Sequence, residues 1–120
     1  YSAAADRPAN KAFIAAWRKE YGDKVIPNFL AVAAYDGMDM IYSAIREQNG
    51  KVDPDKTMEI FKRYKNANSP RGPIAIDPET RDIVQNMYIR ETRKVNGQLA
   101  NVELETIPMV KDIWKELNKK

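Results

Sequence analysis

VQNMYIRETRKVNGQLANVELETI, residues 84–107, decides how the rest of the chain is read. Asn96-Gly97 divides it into Val84–Val95 and Leu99–Ile107. A two-residue type I′ turn needs positive φ at both central positions, and Asn-Gly is the pair that tolerates this best. The segment is therefore expected to be a β-hairpin, with Val95 and Gln98 paired beside the turn. Just upstream, from Gly72, Ile74 and Ile76 alternate with smaller residues as in a short strand, and Asp77-Pro78-Glu79-Thr80 reads as a turn.

Before Gly72 the period is helical. Pro8 suits a first helical turn, with Asp6 close to the cap. Phe13, Ile14, Trp17 and Tyr21 then recur at three- and four-residue steps until Gly22 stops the helix. Trp17 and Tyr21 read as core packing. Pro27 opens a second helix, 28–48. It is apolar on every side from Phe29 to Ala34, then amphipathic through Met38, Ile41, Tyr42 and Ile45. A helix apolar all round is buried all round, so its first turns are expected deep in the protein. A third helix, 54–64, starts at the cap Asp53 and at Pro54, buries Ile60, Phe61 and Tyr64, and fades into the polar residues 65–69. Beyond the hairpin, Val110, Ile113, Trp114 and Leu117 form a short amphipathic turn or helix. Three helices, a short strand and a hairpin place the chain in the α/β class, or α+β when it is taken alone.

The 120 residues correspond to about one small domain. The chain has no Cys and no His. That excludes disulfides, thiolate chemistry and Ser-His or Cys-His catalysis, and removes the commonest imidazole metal ligand. The net charge is +3, but 17 acidic residues are interspersed among 20 basic ones. No nucleic-acid partner is expected from such a surface. No apolar run approaches the ~20 residues of a membrane span. The chain starts at Tyr1 in what reads like the middle of a loop, and any targeting segment is expected to lie outside it.

No residue cluster points to a reaction. Asp53, Asp55 and Thr57 resemble the start of a calcium loop, but Met58 and Tyr64 hold the positions that need Gly and Glu, so no metal is expected. Asp36 with Asp39, and Glu103 with Glu105, read as solvated surface pairs. Ser2, Ser43 and Ser69 have no candidate base. No glycine-rich phosphate loop exists, and no cofactor is expected. Tyr35-Asp36-Gly37 stands out because it interrupts an apolar helix. A buried charge must be paired or hydrogen-bonded. Asp36 therefore either pairs with an Arg or Lys or faces a polar cleft.

Several stretches together resemble the type I periplasmic solute-binding proteins of the branched-chain amino acid ABC transporter class. They are Asn10-Lys11-Ala12-Phe13 to Tyr21-Gly22, Ala33-Ala34-Tyr35-Asp36-Gly37-Met38, the run from Ser69 to Asp82, Val84 to Arg90, and Val110-Lys111-Asp112. Ile113 departs from the pattern, since relatives commonly have Pro there. The resemblance implies a C-terminal fragment of a two-lobed fold that closes on a ligand. Residues 8–21 and 84–120 would belong to one lobe and 28–80 to the other. It also implies a periplasmic receptor rather than an enzyme, an amino acid or small carboxylate as ligand, and a membrane permease as partner. Phe29, Tyr35 and Asp36 are its candidate ligand-binding residues: the start of the helix offers N–H groups to a carboxylate, and Asp36 offers its charge to an ammonium. The alternatives are a sensor domain of the same fold in a regulatory protein, or a small basic interaction module. Without a parent sheet, the faces around Phe13–Trp17 and Phe29–Ala34 are expected to drive oligomer formation.

Overall fold

Asn96 and Gly97 both take positive φ, 50° and 81°, and so form the two-residue turn that the sequence requires. The turn joins β3 (Ile83–Val95) to β4 (Gln98–Val110) as an antiparallel hairpin, with Val95 opposite Gln98. Bulges near Gln85–Met87 and Ile89–Arg90 shift its register. The start of β3 also pairs with β2 (Ile74–Ile76), and β2 pairs with β1 (Lys65–Asn66), giving the antiparallel order β1-β2-β3-β4. The two-residue strand β1 lies in the polar stretch where only a fading helix was expected. This computed structural model describes residues 1–118.

The helices begin and end where their local chemistry dictates. α1 (Pro8–Tyr21) has Pro in its first turn and stops at Gly22, where φ is 82°. Asp6 does not cap it; its carboxylate pairs with Lys11 on the exposed surface instead. α2 (Phe29–Glu47) is capped by Asn28, whose side chain accepts from the N–H groups of Leu30 and Ala31 at 3.0 and 3.1 Å. α3 (Pro54–Lys62) is capped by Asp53, which accepts from Lys56 N–H. α4 (Ile113–Leu117) is capped by Asp112.

Burial corrects three expectations. The small core comprises Ala5, Phe13, Val32, Ala44, Ile60, Tyr64, Ile74, Ala75 and Val84. α3 packs on α2, and β2 on β3. The first turns of α2 do not lie deep: Phe29 is 64% and Leu30 63% exposed, and Met38, Ile41 and Ile45 along the same helix are exposed too. Among the described residues no second layer covers that side. Tyr21 is likewise exposed, stacked on the half-buried Trp17 at 4.3 Å between ring centroids, so only Phe13 of that stripe is core. Ile113, Trp114 and Leu117 of α4 are exposed as well, so the tail helix buries no apolar face.

Candidate functional site

The polar centre of the molecule is built around α2 and the loop that precedes β2. Asp36 sits on the inner side of α2 and is 3% exposed. Its Oδ2 accepts from Arg71 Nε at 2.7 Å and from Ser69 Oγ at 2.9 Å. Arg71 thus supplies the cationic partner that the sequence required of a buried Asp36. Arg71 Nη1 also donates to Gln85 Oε1 at 3.1 Å, and its backbone carbonyl accepts from the Tyr88 hydroxyl at 2.8 Å. One residue thereby holds α2 and β3 together.

Gly72 makes this arrangement possible. Its φ is +91°, and a Cβ there would lie 2.3 Å from the Tyr88 hydroxyl. No side chain fits while that hydroxyl keeps its bond to Arg71. The network continues to the N-terminus, where the Arg7 guanidinium lies over the Tyr88 ring at 4.5 Å and pairs with Glu103 of β4. Glu103 is therefore not part of a solvated pair with Glu105, nor is Asp36 with Asp39, whose carboxylate accepts from the Tyr64 hydroxyl at 2.6 Å. Burial and that carboxylate together push the Tyr64 phenol well above its usual range. Arg7 Nη1, Asp36 Oδ1 and Glu103 Oε1 are buried without a hydrogen-bond partner among the described residues.

The three candidate ligand-binding residues have different surroundings within the chain. Phe29 opens α2 and is exposed. Tyr35 is half exposed and packs on Phe13 of α1, with centroids 5.0 Å apart at 60°. Phe13 in turn meets Tyr1 edge-on at 6.4 Å. The Tyr1 hydroxyl donates to Asn10 at 2.7 Å, and burial pushes its phenol up to about 12. Asp36 is turned toward Ser69 and Arg71. The α2 N-terminus is partly used already, since Asn28 takes two of its N–H groups. Sequence reasoning missed Asn28, Arg71 and Gln85. Asn28 carried a legible signal, as Asn directly before a helical run is a strong cap. Gln85 carried none.

A wide groove of about 890 Å³ lies elsewhere, between the end of α2 and α3. The ion pairs Arg63–Glu47 and Lys62–Glu59 neutralise part of its wall. Its lining carries five basic and three acidic side chains. Among the described residues no cluster is able to hold a metal ion, and no helix is long and apolar enough to cross a membrane.

The fold recurs in solved structures. A solute binding protein of an ABC transporter from Rhodopseudomonas palustris BisB5, in complex with 3,4-dihydroxybenzoic acid, superposes with a TM-score of 0.89 at 49% identity over 96% of this chain. One from strain HaA2, in complex with p-hydroxybenzoic acid, gives 0.85 at 46% identity over 100% of it. Over the part it spans, the chain has the type I periplasmic-binding-protein fold. Residues 1–98 match the family "Periplasmic binding protein", and the chain belongs to that family. It is also 42% identical over 107 residues to the Leu/Ile/Val-binding protein homolog 6 of Brucella abortus. The chain spans 31% and 32% of the two solved structures and 27% of the Brucella protein.

Proposed function

We propose that this chain is the C-terminal part of the solute-binding component of an ABC importer, a periplasmic receptor and not an enzyme, and that its ligand is a small aromatic carboxylate. The observation that carries the ligand class is the likeness to the two hydroxybenzoate complexes, which extends over 96% and 100% of the chain at 49% and 46% identity. The candidate ligand-binding residues are Phe29 and Tyr35, as exposed rings able to lie against an aromatic ligand, together with Asp36, whose Oδ1 is buried without a hydrogen-bond partner among the described residues. In this reading 8–21 and 84–120 belong to one lobe and 28–80 to the other, and the partner is the importer's permease.

The second reading, a branched-chain amino acid as ligand, is favoured by the name of the Brucella relative. Calorimetry on the full-length protein that contains this chain separates the two. Tighter binding of 4-hydroxybenzoate or 3,4-dihydroxybenzoate than of leucine is expected. Leucine binding tighter by tenfold or more, about 1.4 kcal/mol, overturns the aromatic reading and leaves the receptor reading intact. The isolated chain is expected to bind weakly, since it offers one wall of a cleft that closes from two sides.

A further inference from the structure

The polar groups of this chain divide into two bodies. One comprises α2, α3 and β1; the other comprises the N-terminal segment and the long hairpin β3–β4, which Ser2, Arg7 and Arg90 stitch together through contacts to Asn101, Glu103 and Tyr1. The three-residue strand β2 runs between the bodies, paired with β1 on one side and β3 on the other. Through its side chain, Arg71 joins them as well. It is 14% exposed along its side chain, and it contacts Asp36 in the first body and Gln85 and Tyr88 in the second.

We infer that Arg71 is a positioning residue: it fixes the angle between α2 and the hairpin, and ligand affinity depends on it through that angle rather than through contact. Two features favour this over mere stabilisation of its own loop. A guanidinium is a planar fork that serves two acceptors in fixed, divergent directions, as needed to orient two bodies; a lysine ammonium is a single point of attachment. Moreover, Gly72 keeps φ at +91° beside it, so the Tyr88 hydroxyl reaches the Arg71 carbonyl without obstruction. The hairpin is thereby held at two points, one on the Arg71 side chain and one on its backbone. Only the ligand consequence rests on the receptor reading; the angle does not.

The chain contains no cysteine, so two introduced ones label it uniquely. Spin labels at Lys56→Cys on α3 and Lys94→Cys near the hairpin turn, diluted with unlabelled chain, report the distance between the bodies. One narrow distribution is expected for the parent sequence. Arg71→Lys keeps a charge beside Asp36 and loses the fork, and Gln85→Leu removes only the hairpin acceptor. Each is expected to broaden the distribution roughly twofold, with far-UV circular dichroism retained, while Arg18→Lys on exposed α1 leaves it unchanged. A broad parent distribution, or an unchanged one in both variants, overturns the inference. In the full-length protein, Arg71→Lys is expected to weaken 4-hydroxybenzoate binding about tenfold. Unchanged affinity in that variant overturns the ligand consequence. If the unsubstituted full-length protein does not bind 4-hydroxybenzoate, the functional reading fails while the distance result stands on its own.

Discussion

Gly72→Ala tests the network at its tightest point, and the cost has two separable parts. A Cβ at residue 72 would sit 2.3 Å from the Tyr88 hydroxyl, so ring or loop must move by an ångström or more to reach ordinary contact. The ring is not free to do so. Its hydroxyl is bonded to the Arg71 carbonyl at 2.8 Å, and its face carries the Arg7 guanidinium at 4.5 Å. Displacing it forfeits that hydrogen bond, about 1 kcal/mol. The second part is backbone: φ of +91° is strained for an L-residue, by about 1–2 kcal/mol. The total, about 2–3 kcal/mol, corresponds to a melting temperature lower by on the order of 10 °C for a chain of this length. Thermal unfolding followed by circular dichroism measures it, and a double-mutant cycle divides it. Tyr88→Phe removes the colliding oxygen, so Gly72→Ala on that background is expected to cost only the backbone part. An equal cost on both backgrounds refutes the steric contact, and a loss below about 0.5 kcal/mol refutes the whole argument.

Three further outcomes follow from other parts of the chain. The hydrogen bond from Lys111 and those from the Glu79 and Thr80 N–H groups hold the Asp77 carboxyl at about 2, below its usual value of 3.8, so folding favours its ionised form. That stabilisation is complete above the unfolded value and is lost as pH falls toward 2; the melting difference between the parent chain and Asp77→Asn is expected to shrink from pH 5 to pH 2, and growth on acidification contradicts it. Gly97→Ala places an L-residue at φ 81° in the hairpin turn and is expected to cost about 1 kcal/mol by thermal melting, with no loss indicating another turn type. The isolated chain is expected to self-associate at micromolar concentration through the α2 face bearing Phe29 and Leu30, and Leu30→Glu with Ile41→Glu to return it to monomer by light scattering; a monodisperse parent monomer contradicts this.

What the sequence disclosed was whatever depends on neighbours along the chain. Pro8 and Gly22 bound α1, Asp53 and Pro54 start α3, and Asn96-Gly97 turns the hairpin, because each is a local backbone preference. The Lys65–Asn66 strand was illegible, since two polar residues have no period and pair only through the distant Ile74 and Ala75. At Asp36 the sequence required a partner but did not name one. Arg71 lies 35 residues away, and its choice is set by the loop geometry around Gly72. The depth of α2 was misjudged for another reason: an all-apolar surface records a demand for cover, and the described residues do not meet it.

That failure has a consistent physical form. Polar demands are directional and short in range, and this chain meets most of them internally: Asn10, Asp36, Ser69 and Asp77, each 3% exposed or less, all have hydrogen-bond partners within it. Apolar demands scale with area and need a second layer, and these are left open along Leu30, Met38, Ile41 and Ile45. The two kinds of substitution are therefore expected to diverge. Changes in the polar network should be felt in the isolated chain and in the full-length protein alike, because the hydrogen-bond partners named above are present in both. Polar substitutions on the open α2 face should leave the isolated chain's own folding nearly unchanged, within about 0.5 kcal/mol, while destabilising any longer protein that covers that face. The contrast between Gly72→Ala and Leu30→Glu, measured in both contexts, separates what these residues build alone from what they build with the remainder of the fold.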